Sequence, residues 1–141
     1  MQQILVLCIG NICRSPLAQV LLAREFPDRN VWSAGLGALV GEPADPISVA
    51  LALEQGLDLS AHRAQQVSNL MCQRADLILV MEQGHRMELE RRYPQVRGKA
   101  FRLGAEDIAD PFRLPRPAFE AAYAGIARGV ADWAARIRQI G

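Results

Sequence analysis

Close to the start of the chain, Ile4-Leu5-Val6-Leu7 forms an unbroken apolar run, and the rest of the chain alternates such runs with helical periodicity. Short apolar runs bounded by turn residues fit strands buried on both faces, the habit of parallel sheets. Three more strands are expected, at "NVWSA" from Asn30, "DLILVM" from Asp76 and "KAFRL" from Lys99. Between them the spacing predicts helices. Ser15-Pro16 reads as an N-cap followed by proline at the first helical position, opening a helix to about Glu25. Asp45-Pro46 repeats that signature and opens a helix to about Gln55, with Gly56 as its stop. A short helix is expected over Gln66 to Cys72, another over Glu82 to Arg92 before Pro94, and the last from about Pro117. On that last helix Phe119, Tyr123, Ile126, Val130, Trp133, Ile137 and Ile140 recur at alternating spacings of four and three. A seam this short fits a helix docked on a sheet better than a coiled coil.

Alternating strands and helices imply an α/β fold: a three-layer sandwich whose four-stranded parallel sheet has helices on both faces, reached by right-handed crossovers. The length of 141 residues fits one domain spanning 1–141. Sixteen basic residues against fifteen acidic leave a net charge of +1, which lacks the basic footprint of a nucleic-acid binder. The N-terminal "MQQILVLC" has no basic region ahead of its apolar run, and no apolar stretch is long enough to span a bilayer. A cytoplasmic protein without membrane insertion is expected. Three cysteines, an odd number, argue against a disulfide framework. The two histidines and three cysteines lack metal-ligand spacing, so neither metal nor cofactor is expected.

One segment concentrates chemistry. "CIGNICRSP", from Cys8 to Pro16, lies between the first strand and the first helix. Ligands of open α/β sheets bind at that carboxyl end of the strands. Helix N-termini add unpaired N–H groups and a partial positive charge. If residues Ile9, Gly10, Asn11, Ile12, Cys13, Arg14 and Ser15 wrap into a ring, their amides converge on an anion, most naturally a phosphate. Gly10 and Asn11 suit such a turn because both tolerate positive φ. No Walker-type G-x-x-x-x-G-K is present. Instead a cysteine stands at the rim and an arginine follows six residues later. Thiols beside a helix N-terminus and an arginine are those that ionise and attack. Arg14 offers a planar fork for two phosphoryl oxygens, and Ser15 a hydroxyl for the sulfur. The pattern points to thiolate attack on phosphorus through a cysteinyl-phosphate.

"VLCIGNICRSP" strongly resembles the phosphate-binding loop of the low-molecular-weight protein tyrosine phosphatases, and the strand-helix rhythm fits along essentially the whole chain. The segment "SAGLGALVG", Ser33 to Gly41, is similar to that of bacterial members paired with tyrosine autokinases of exopolysaccharide or capsule export. The resemblance implies Cys8 as nucleophile, Arg14 as phosphate ligand, and Ser15 as assistant to the leaving thiolate. Asn11, Ser33 and His62 would support the loop. The implied partner is a phosphotyrosine protein, an autokinase tail.

Cleaving a phosphotyrosine also needs a proton donor for the phenolate. Asp45-Pro46 is followed by a helical pattern and has capping as its plain role. Asp110-Pro111-Phe112 is followed by "RLPRP" and resembles the family's Asp-Pro-Tyr acid motif, which makes Asp110 the expected acid and Asp107 a weaker rival. Phe112 is expected as an aromatic wall. Leu36, Leu39 and Val40 stand in the loop where other members place an aromatic, with Leu39 and Val40 expected in the substrate pocket. Gln65 stands where the family usually has arginine. Two rival activities of the fold are arsenate reduction, which needs a resolving cysteine pair where this chain has only Cys72, and phosphoarginine hydrolysis, whose members have threonine at the position of Ile12. Cys13 is a candidate redox partner for Cys8.

Overall fold

The computed structural model describes residues 1–140. Four strands, β1 (Gln3–Cys8), β2 (Asn30–Gly35), β3 (Leu77–Val80) and β4 (Ala100–Arg102), alternate with five helices. These are α1 (Arg14–Glu25), α2 (Pro46–Glu54), α3 (Asn69–Arg74), α4 (Gln83–Arg92) and α5 (Arg116–Ile140). The sheet runs in the order β2-β1-β3-β4, and every pairing is parallel.

Ile4 through Leu7 are completely buried because β1 is central and covered on both faces. Its side chains alternate between two cores, as strand geometry requires. Ile4 and Val6 pack with residues of α1, α2 and α5. Leu5 and Leu7 pack on the opposite face with Cys72 of α3 and Leu89 of α4. The expected three-layer sandwich is the observed one. Along α5, Phe119, Ile126, Val130, Trp133 and Ile137 are buried, so the helix docks on the sheet as expected, and Ile140 runs past its edge into solvent.

Two helix starts differ from expectation. The segment at Gln66 forms a bridge to Gly35, which delays α3 until Asn69, where Ser68 accepts from the Met71 amide at 3.2 Å. Ser15 is not the N-cap of α1. That position is Cys13, which makes no side-chain cap, and Ser15 lies inside the helix with its hydroxyl turned to other use.

From β1 the chain crosses to β2 on one side and later to β3 on the other. The carboxyl ends of β1 and β3 thus flank a topological switch point, where crevices open in such sheets.

Candidate active site

The loop that leaves β1 is held from outside by its carbonyls. Cys8 O accepts from the Leu36 amide at 2.9 Å, Ile9 O from Gly37 at 3.0 Å and Gly10 O from Leu39 at 3.1 Å. Asn11 O accepts from His62 Nε2 at 2.7 Å. Ile12 O accepts from the Asp45 amide at 2.8 Å, and Cys13 O from the Ser48 hydroxyl at 3.2 Å. With each carbonyl turned outward and bonded, the amides of Gly10, Ile12 and Cys13 find no acceptor among the described residues. A ring of unpaired N–H groups at a helix N-terminus attracts an anion.

Asn11 sets the turn. Its φ of 59° lies in the left-handed region, which asparagine tolerates at modest cost. Gly10 does not share that conformation, contrary to expectation, and a Cβ there would meet only Ile12 and Leu39 side chains at ordinary distances. The buried Asn11 amide donates to Ser15 Oγ at 2.8 Å and Ser33 Oγ at 3.0 Å, while its Oδ1 accepts from the Gln65 amide at 3.0 Å. Ser33 donates onward to Gln19 Oε1 at 2.6 Å. Gln65 also donates from Nε2 to Ser33 O at 2.9 Å, which gives this departure from the family pattern a local function.

Glycine is required instead at position 35. A Cβ on Gly35 would stand 2.3 Å from Ile9 O and 3.0 Å from Ala38 Cβ. Gly35→Ala therefore pushes the loop carbonyl out of place. We expect a loss of about 1–3 kcal/mol of stability, together with a drop in kcat/KM on the order of tenfold from the displaced loop. Denaturant melts and steady-state turnover measured on one preparation check both.

Cys8 is 2% exposed at the base of a cavity of about 130 Å³. Its Sγ lies 2.9 Å from Ser15 Oγ and accepts from the Asn11 amide at 3.3 Å. Beside it, the buried Arg14 guanidinium uses one nitrogen structurally: Nη1 donates to Glu82 Oε2 at 2.5 Å and to Ile108 O at 2.6 Å. The remaining edge borders the cavity. Nε is buried without a partner, and Nη2 lies 3.7 Å from Asp110 Oδ2. A buried guanidinium N–H without an acceptor is costly unless an anion arrives to meet it.

Ile9, Gly10, Cys13, Gly37, Leu39, Asp110 and Phe112 complete the cavity wall. Phe112 and Leu39 occupy their expected places. Val40 does not: it is 69% exposed and lines no part of the cavity, because the chain turns outward there. Leu36 is buried in the core against β2. The Ile12 side chain packs in the opposite core, so it does not face the substrate space. Ile9, expected only as a backbone ligand, also lines the cavity wall.

The rival acids separate clearly. Asp110 lines the cavity, and its Oδ1 accepts from the Phe112 amide at 3.1 Å, which fixes the turn. Asp107 accepts from the Gln83 amide at 2.9 Å and from Arg102 at 3.0 Å. Those bonds hold its carboxyl below the usual range, first through Gln83 and then Arg102, and so favour the ionised form. Asp107 is a structural carboxylate.

The three cysteines are free and buried. Burial, then the nearby Asp45, pushes the Cys13 thiol up to about 12, and burial also raises Cys72. At neutral pH iodoacetamide should therefore mark Cys8 and spare the other two, as peptide mass mapping would show. Capture of an oxidised Cys8 by Cys13 would be slowed for the same reason. Among the described residues there is no cluster of histidine, cysteine, aspartate and glutamate that could hold a metal, and no helix long and apolar enough to cross a membrane.

No motif in the sequence marks Glu82 as a site residue. The signal available was its place at the carboxyl end of a buried strand, where sites of this architecture gather.

A parallel sheet with an anion loop, a buried thiol and an arginine at its switch point defines an α/β protein built to hold a phosphoryl group. The profile of the low molecular weight phosphotyrosine protein phosphatases matches residues 3–140, and the chain belongs to that family as a protein-tyrosine-phosphatase. It is 52% identical over 141 residues to the probable low molecular weight protein-tyrosine-phosphatase EpsP of Ralstonia nicotianae, covering 98% of this chain and 97% of that protein. It is 47% identical over 135 residues to the Escherichia coli phosphatase Wzb, covering 93% of this chain and 92% of that one. The structure of Vibrio vulnificus Wzb in complex with benzylphosphonate superposes with a TM-score of 0.92 at 40% identity, covering 95% of this chain and 97% of that chain.

Proposed function

We propose that Cys8, Arg14 and Asp110 carry the reaction, with the loop amides of 9–15 binding the phosphoryl oxygens. The Cys8 thiolate attacks phosphorus as the bond to the tyrosine oxygen breaks. Asp110 gives its proton to the departing phenolate. Water then attacks the cysteinyl-phosphate, Asp110 takes a proton from it, and the P–S bond breaks. Ser15, 2.9 Å from the sulfur, donates to the thiolate as it leaves. Arg14 follows the equatorial oxygens through both steps. The observation that carries this reading is the Nε–Nη2 edge of the buried Arg14 in the cavity beside Cys8, with Nε unpartnered and Nη2 facing Asp110.

Preference for an aromatic ester is supported by depth. Cys8 lies at the base, while Ile9, Leu39 and Phe112 stand partly exposed at the mouth. A phosphotyrosine spans that wall and stacks on Phe112, whereas phosphoserine is too short to do so. Fully buried Cys72 is unsuited to a disulfide relay with Cys8, which disfavours arsenate reduction. We further infer a cytoplasmic role on the phosphorylated tail of a tyrosine autokinase of exopolysaccharide or capsule export. This is supported by the resemblance of the Ser33–Gly41 segment and by the similarity to EpsP and Wzb.

Turnover of matched phosphotyrosine, phosphoserine and phosphoarginine peptides tests the specificity, and a preference for either of the latter two overturns it. Asp110→Asn tests the acid. It should slow phosphotyrosine cleavage about 10²–10³-fold, yet cost far less with an aryl phosphate whose phenolate leaves unprotonated. Equal losses on both substrates would remove Asp110 from the role.

A further inference from the structure

One buried ionisable side chain beside the site has no part in these steps. His85, on the first turn of α4, is 7% exposed. Its Nε2 lies 3.5 Å from Glu82 Oε2, the same oxygen that accepts from Arg14 Nη1 at 2.5 Å. Its Nδ1 is buried with no partner. A ring nitrogen buried in that way costs free energy that an apolar filler would not incur.

The charged groups facing the ring come from three places: Arg14 from α1, Glu82 at the start of α4, and Asp107 and Asp110 from the loop after β4. Burial and then Arg14 lower the ring below its ordinary value of 6.5, against the opposite pull of the three carboxylates. Near neutrality the ring is thus uncharged. Facing a carboxylate, a neutral ring presents N–H at Nε2, which leaves Nδ1 as the unpartnered acceptor. At 3.5 Å the contact is longer than a hydrogen bond, so the ring's N–H dipole steadies the Glu82 oxygen electrostatically, without competing for it as a second cation would.

We propose that His85 is a positioning residue: packed on the first turn of α4 with Nε2 beside Glu82 Oε2, it steadies Glu82 against Arg14 Nη1, and so aims the Nε–Nη2 edge of the guanidinium into the cavity. This rests on Arg14 being the phosphoryl ligand. Acidification supplies the converse. Because burial and Arg14 lower the ring's pKa, it charges only as pH falls below its ordinary value of 6.5. The imidazolium then repels Arg14 and draws Glu82 toward itself.

The test uses the whole chain with His85→Leu, His85→Gln and His85→Asn, assayed on a phosphotyrosine peptide and by competition with inorganic phosphate. Glutamine places its amide N–H near the Nε2 position, and asparagine places it near Nδ1. His85→Leu should lower kcat and raise the phosphate Ki, each about tenfold, from a misaimed guanidinium. His85→Gln should recover to within about threefold of the parent and His85→Asn should not. The acid limb of the kcat profile that belongs to the ring should vanish in His85→Gln. Parent-like kcat and Ki in His85→Leu overturn the proposal, as does equal behaviour of the glutamine and asparagine variants. That second comparison decides the matter if His85→Leu does not fold. Arg14→Lys, run alongside, keeps the two readings apart. If it is fully active, the role of Arg14 falls. If it is disabled while His85→Leu is unaffected, only the role of His85 falls.

Discussion

Replacing Cys8 by serine abolishes turnover of a phosphotyrosine peptide, with a loss of about 10⁴-fold or more, while inorganic phosphate still binds. The two halves of this expectation come from different atoms. Chemistry needs a nucleophile that is anionic near neutral pH, and a serine hydroxyl has neither that charge nor a neighbouring base to create it. Binding rests instead on the loop amides and the Arg14 edge, which the substitution leaves in place. The side chain is nearly isosteric and Ser15 Oγ, 2.9 Å from Sγ, can bond an oxygen as well. Stability should therefore change little. Isothermal titration with phosphate, beside turnover of the same preparation, checks both halves. Substantial residual turnover would place the nucleophile elsewhere. Lost phosphate binding with intact turnover would contradict the loop as the anion site.

Arg14→Lys should cost about 10³-fold in kcat despite keeping the charge. The guanidinium reaches Glu82 Oε2 and Ile108 O with one nitrogen and keeps a planar edge for the substrate. An ammonium is a point donor and cannot hold the Glu82 side of the site and two phosphoryl oxygens together. Because those oxygens carry the charge of a loose transition state, the loss should fall on kcat more than on KM. A change below about tenfold would mean that the fork is not used in the transition state.

Much of this was legible in the sequence because the relevant signals are local. The strand at Ile4–Leu7 shows itself by burial on both faces, and the end of such a strand is where a site is to be sought. Cys8 and Arg14 lie within one short loop, so their spacing speaks directly. The departures are of another kind. Ser15-Pro16 carries the local mark of an N-cap, but its hydroxyl is claimed by Cys8 and Asn11, partners decided by the loop's path. Val40 continues an apolar run, yet the chain turns outward between it and Leu39. The Gln66 backbone is taken by a bridge to Gly35, which no helical pattern reveals. Glu82 meets Arg14 across 68 positions of sequence, brought there only by the order of strands in the sheet.

The outward-turned carbonyls of residues 8–13 give the site an unequal division of rigidity. Their donors come from the stretch after β2, from α2 and from His62, so the anion receptor is ordered when the chain folds. Asp110, by contrast, projects from a loop, its side chain 44% exposed and held locally through the Phe112 amide. Phosphate recognition is thus set in advance and common to any ester that reaches the base. Adjustment to a particular partner protein falls to the rim, where sequence can drift without disturbing the chemistry beneath.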